Sequence, residues 1–263
     1  MKTERITFLN AQGERLAARL ELPGDGRPLA YALFAHCFTC SKDLKAVVNI
    51  CRALSSRRIA VLRFDFTGLG ESEGDFAATT FSSEVTDLVA AAHFLGQEYE
   101  APRLLIGHSL GGAAVLSAAA DIPSTTAVVT IAAPFNPDNL RGLLGATTEH
   151  IELTGQATVS IGGRDFSIRK ALLDDLAAQK PDEVLHRLKV ALLVMHSPRD
   201  EVVGIDNATR IYQAAHHPKS FISLDPADHL LSDAKDSRYA GEMIATWASR
   251  YLVLSDPGMA LLS

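Results

Sequence analysis

Leu104-Leu105-Ile106-Gly107-His108-Ser109-Leu110-Gly111-Gly112 is an apolar run that stops at a Gly-x-Ser-x-Gly, and an alanine-rich segment of helical composition follows. The order reads as strand, sharp turn and helix, with a serine at the apex of the turn. Such a turn forces the serine backbone into a strained conformation. A side chain at Gly107 or Gly111 would collide with the neighbouring strand and helix. Ser109 gains two things from this geometry. Its hydroxyl stands clear of the sheet, and the amides that open the helix point at any negative charge developing beside it.

Outward from this turn, strand and helix patterns alternate. Residues 6–9 and 16–22 alternate apolar with polar, as an antiparallel hairpin with one wet face does. Residues 29–35 and 59–64 are short apolar runs that suit strands buried on both faces, and 41–57 and 81–95 carry helical patterns between and after them. A strand at 128–132 follows the serine helix. The rhythm breaks over about 135–185, where 158–161 and 166–168 flank Gly162-Gly163-Arg164-Asp165, a hairpin signal. So long a connection is read as a lid over the active-site edge. The alternation resumes with a strand at 190–195, a helix at 205–216, a strand at 220–224 and a last helix at about 238–254. The expected fold class is α/β: one domain over residues 1–263, with a mostly parallel central sheet and helices on both faces. In such sheets catalysis gathers at the carboxyl ends of the strands.

A serine needs a base to take its proton, and the base needs an acid to fix its tautomer and offset its charge. The strand at 190–195 leads through His196-Ser197-Pro198-Arg199 to Asp200, and the strand at 220–224 leads through Asp225-Pro226-Ala227-Asp228 to His229. Ser109, Asp200 and His229 therefore all follow strands and are the candidate catalytic residues. Glu201 and Asp206 are the other nearby acids, and Asp225 and Asp228 are read as shaping the histidine loop. Among the other histidines, His108 is assigned packing or hydrogen bonding in the turn, His196 ends its strand too early, and His216 and His217 close a helix. The oxyanion donors expected are the Leu110 and Phe38 amides, the latter from the loop His36-Cys37-Phe38-Thr39. His36 is read as a brace for that loop. Phe38, Phe135, Leu140 and Leu143 are the candidate lining of an apolar acyl pocket.

The bulk composition narrows the class. With 263 residues, 47% of them hydrophobic, the chain can bury a large core. Its net charge of −6 and lack of a basic stripe argue against nucleic acid. No apolar run is long enough to cross a bilayer, and the first ten residues lack a signal-peptide core, so a cytoplasmic location and no membrane partner are expected. Cys37, Cys40 and Cys51 are expected as reduced thiols. Cys37-x-x-Cys40 invites a redox or metal reading, but no second Cys pair supplies four ligands; no metal or cofactor is expected.

The order Ser109, Asp200, His229 resembles that of the α/β-hydrolase superfamily. Phe64-Asp65-Phe66-Thr67-Gly68-Leu69-Gly70-Glu71-Ser72 is similar to that superfamily's Asp-x-x-Gly-x-Gly-x-Ser loop, where Asp65 would order a turn. Ala35-His36-Cys37-Phe38-Thr39-Cys40-Ser41-Lys42-Asp43-Leu44, with Arg63-Phe64-Asp65-Phe66-Thr67-Gly68, resembles one branch more closely. That branch is the hydrolase half of bacterial fusions with an OsmC-type peroxiredoxin domain, and in it Cys37 belongs to the pattern. The resemblance implies an α/β-hydrolase fold and a serine hydrolase that cleaves carboxylic esters of short to medium acyl chain through an acyl-enzyme. Thioesterase, small-amide peptidase and acyltransferase chemistry share the same triad, and a non-catalytic ligand-binding module is the reading from another class. The chain stops at Ser263, where the fusions continue; it is read as a stand-alone relative or a first domain, with an OsmC-type partner domain absent.

Overall fold

The computed structural model describes residues 2–252. Eight strands form one sheet. They are β1 (Lys2–Leu9), β2 (Arg15–Leu22), β3 (Ala30–Ala35), β4 (Ile59–Phe64), β5 (Leu104–His108), β6 (Ala127–Ile131), β9 (Ala191–His196) and β10 (Lys219–Ser223), in the spatial order β1-β2-β4-β3-β5-β6-β9-β10. β1 and β2 pair antiparallel, β2 meets β4 antiparallel, and every later pairing is parallel. The fold is an α/β-hydrolase fold, and β7 (Gln156–Ile161) and β8 (Arg164–Arg169) make a separate hairpin.

Alternation along the parallel strands divides the core in two. Leu33, Leu105, Val128 and Leu192 face one side, where α2 (Phe81–Glu98) and α3 (Leu110–Ala118) cover them. Phe34, Ile106, Val129 and Leu193 face the other, under α1 (Lys45–Ser56) and α9 (Ala234–Leu252). Both faces being covered explains why β3, β4, β5, β6 and β9 read as largely apolar runs in which every residue is buried. α2 starts with a reciprocal cap between Thr80 and Ser83.

Several boundaries differ from the sequence expectation. α1 begins at Lys45 rather than at residue 41, because Asp65 Oδ1 takes the Lys42 amide at 2.7 Å and Arg63 donates to the Lys42 carbonyl at 2.6 Å. Those bonds draw the Lys42 backbone out of a helix. The hairpin turn is only Gly162-Gly163, both at positive φ, so Arg164 and Asp165 belong to β8. α9 begins at Ala234, and the last two positions expected in that helix lie outside the described residues. Between β6 and β9 come α4 (Asn139–Leu144), α5 (Ala146–Thr154), the hairpin, α6 (Lys170–Ala178) and α7 (Pro181–Arg187). Among the described residues no helix is long and apolar enough to cross a membrane.

Candidate active site

The turn between β5 and α3 puts Ser109 at φ 55° and ψ −126°, a region that a residue with a side chain occupies only when its surroundings insist. They do so from several directions. The Ser109 amide donates to Ile131 O at 2.8 Å, tying the turn to β6. A Cβ at Gly107 would stand 2.1 Å from Gly111 O, and one at Gly111 would stand 2.4 Å from His36 O. Both positions thus need glycine for close backbone approach. Leu110 is the first residue of α3, so its N–H has no partner within the helix.

Asp200 and His229 reach the same place from the ends of β9 and β10. His229 Nε2 lies 3.0 Å from Ser109 Oγ, and His229 Nδ1 lies 2.7 Å from Asp200 Oδ2. With Nδ1–H donating to the carboxylate, Nε2 is free to accept the serine proton. Asp200 Oδ1 accepts from the Val202 and Val203 amides at 2.9 and 2.8 Å. Burial alone would raise the Asp200 carboxyl, but the bonds from His196, His229 and the Val203 amide outweigh it and hold it well below the usual carboxylate range.

Two further histidines shape this relay. His108 Nε2–H donates to the His229 carbonyl at 2.7 Å. Burial, with the neighbouring His229, lowers the His108 imidazole to about 4, so it is neutral across the physiological range. His196 is fully buried; its Nε2–H donates to Val203 O at 2.7 Å and lies 3.4 Å from Asp200 Oδ2. Sequence reasoning set His196 aside for ending its strand too early, and gave His108 no specific partner. Only contacts across the fold assign these bonds.

Ser109, Leu110, His229 and Phe38 open on a cavity of about 870 Å³. Leu140 and Leu143 of α4 also line it, as do Val159 and Ile161 of β7. Phe135 corrects the expected pocket lining. It is buried, with the Arg210 guanidinium 4.0 Å over its ring, and it lines a separate small void beside Ala113 and Leu116 of α3 rather than the cavity. A second correction concerns the cysteines. Cys37 and Cys40 are joined as a disulfide, their Cα atoms 5.3 Å apart across a turn closed by Cys40 N–H to Cys37 O at 3.0 Å. Cys51 is free and buried in α1.

Asp65 stands away from the relay and orders the loop after β4. Its carboxylate takes the Lys42 amide and ammonium at 2.7 Å each and the Glu71 amide at 2.9 Å. Among the described residues no group of acidic, His and Cys side chains could hold a metal ion.

The family model described as serine aminopeptidase, S33, matches residues 41–175, half of the chain, including the nucleophile turn. The chain belongs to this family of α/β-hydrolases. The hydrolase is 50% identical to the esterase domain of a Rhodothermus marinus protein, covering 96% of this chain and 100% of that one with a TM-score of 0.79. It is 24% identical over 242 residues to the uncharacterized protein YfhR of Salmonella typhi, covering 91% of this chain and 78% of that protein. Est1E of Butyrivibrio proteoclasticus, solved with ferulic acid bound, shares the fold at a TM-score of 0.83 and 19% identity, covering 95% of this chain and 100% of that one.

Proposed function

We propose that this hydrolase is a carboxylic ester hydrolase working through an acyl-enzyme on Ser109. The observation that carries the reading is the continuous bond path from Ser109 Oγ through His229 to Asp200, opening on an apolar-walled cavity. Ser109 Oγ attacks the acyl carbon while His229 Nε2 takes its proton, and the Asp200 carboxylate offsets the imidazolium. The Leu110 and Phe38 amides hold the oxyanion. His229 then protonates the departing alcohol and activates the water that releases the acid. Phe38, Leu140 and Leu143 supply the acyl wall, for short to medium chains, with α4 and the β7–β8 hairpin as the lid. The 50% identity to a domain called an esterase supports ester over amide chemistry. The finer likeness to hydrolases fused to OsmC-type domains rests on the Cys37 and Asp65 motifs.

A p-nitrophenyl ester series tests this reading. A burst of p-nitrophenol equal to the enzyme concentration is expected, with turnover peaking below long-chain lengths and Ser109 labelled by a fluorophosphonate. Ser109→Ala is expected to lose about 10⁶ in kcat. Ordinary turnover in that variant sinks the assignment, and an unlabelled serine favours a ligand-binding module.

A further inference from the structure

One motif has no part in the ester chemistry above: the disulfide that brackets Phe38. We propose that Cys37–Cys40 is a thiol–disulfide exchange site in the wall of the ester cavity, whose state decides whether the Phe38 amide stays in position for the oxyanion. The second half of this statement rests on the esterase reading. Cys37, Phe38, Thr39 and Cys40 all line the same cavity as Ser109 and His229. Any thiol small enough to enter the substrate space therefore meets the bond.

The turn they form is one that needs holding. Thr39 is β-branched and sits at φ 59°, a conformation costing about 1–3 kcal/mol that persists only where the surroundings over-determine it. Three restraints besides the turn's own backbone bond do so. His36 Nδ1–H donates to Cys37 O at 2.8 Å, Arg164 donates to Thr39 O from the hairpin, and the disulfide closes the two ends. Only the last can be removed and restored by chemistry. The bond closes a loop of very few residues, so its contribution to global stability is small and its local effect on the turn dominates.

Access decides the direction of attack. Cys37 is buried, whereas Cys40 is half-buried, so an incoming thiolate meets Cys40 Sγ first. The S–S bond breaks as the new S–S bond forms, and Cys37 leaves as the thiolate and takes a proton. A second thiol then attacks the mixed disulfide, leaving Cys37–SH and Cys40–SH and one oxidised disulfide of the reductant. The net change is two electrons and two protons from two thiols, or from one dithiol. Cys51 takes no part: it is sealed in the core, and burial pushes its thiol up to about 12.

The test compares one protein in two states. Oxidised enzyme is treated with dithiothreitol, the gain of two hydrogens is verified by intact mass, and kcat and KM are measured on p-nitrophenyl butyrate. Reduction is expected to lower kcat by at least about tenfold, bounded by the ~10²–10³ that a lost oxyanion donor costs, with KM little changed. Reoxidation is expected to restore it. Cys37→Ser/Cys40→Ser is expected to show the reduced kcat, to ignore dithiothreitol and to keep its circular dichroism; Cys51→Ala keeps the full response. Unchanged kcat in mass-verified reduced enzyme overturns the proposal, as does a double variant matching the oxidised wild type. A bond that resists dithiothreitol in the folded protein overturns it as well. Oxidised enzyme without any ester turnover counts instead against the esterase reading, and the exchange half is still judged from the mass.

Discussion

Gly111 joins the nucleophile turn to the loop after β3 by having no side chain. An added Cβ would stand 2.4 Å from His36 O and 2.6 Å from Ala35 O, both backbone atoms that cannot swing away. Gly111→Ala is therefore expected to push that loop off α3, costing about 1–3 kcal/mol in stability and lowering kcat more than KM, as thermal melts and ester kinetics would read. His108 acts at the same scale. Its Nε2–H is the partner of the His229 carbonyl, so His108→Leu leaves that buried carbonyl unpaired, at about 1–3 kcal/mol, and loosens the loop that carries the imidazole. A fall in kcat with nearly constant KM is expected; wild-type kinetics in a folded His108→Leu protein would contradict it. Asp200→Asn keeps the shape but reverses the bond that sets the His229 tautomer, and kcat is expected to drop by about 10⁴.

The β7–β8 hairpin lines the cavity through Val159 and Ile161 of β7 and Arg164 of β8. Both of its strands are largely exposed, with Ile168 the one residue fully buried. Phe166 packs edge-on to Phe76 with centroids 5.1 Å apart, Phe76 meets Phe38 at 5.6 Å, and Arg164 lies 5.2 Å over the Phe166 ring while donating to Thr39 O. Elements with so little burial open at low free energy. Arg164→Ala is expected to raise KM by about fivefold, matching a loss near 1 kcal/mol, and to speed proteolysis within Gln156–Arg169. Equal KM and equal cleavage rates would remove the hairpin from the binding step.

For the whole molecule, two buried groups pull stability in opposite directions with pH. Glu84 of α2 is buried, and its carboxyl is pushed up to about 8, first by burial and then by the charges of Asp87 and Asp175. The folded state holds that proton where the unfolded chain, near 4.5, has released it. Stability therefore declines as pH rises from about 4.5 to about 8 on this account. His108 works in the other window. Its folded value of about 4 lies below the ordinary 6.5, so the unfolded chain takes up the proton first and stability declines as pH falls from 6.5 towards 4. Glu84→Gln is expected to melt higher than wild type at about pH 9, by an amount on the order of a few kcal/mol, with the gap closing by about pH 5. Parallel melting curves for the two proteins across that range would refute the assignment.

What the chain carries in its order of residues is local. The glycines around Ser109, the largely apolar runs of the parallel strands and the placement of Asp200 and His229 just after strands all depend on near neighbours and on backbone sterics. Those features are legible because they need only a few adjacent residues to be satisfied. The rest depends on groups far apart in the chain. The wet face expected of β2 is lost because β4 and β1 flank it and most of its residues are buried. Phe135 is apolar like a pocket residue, yet it is buried away from the cavity with the Arg210 guanidinium over its ring. His108 and His229 are 121 positions apart when they bond, and Arg164 meets Thr39 across 125. Two cysteines three apart become a disulfide or remain thiols according to the turn between them, and that turn is held by His36 and by a hairpin more than a hundred residues downstream. Tertiary packing decided these, because a side chain's partner is chosen by which surfaces the folded sheet and helices bring within bonding distance.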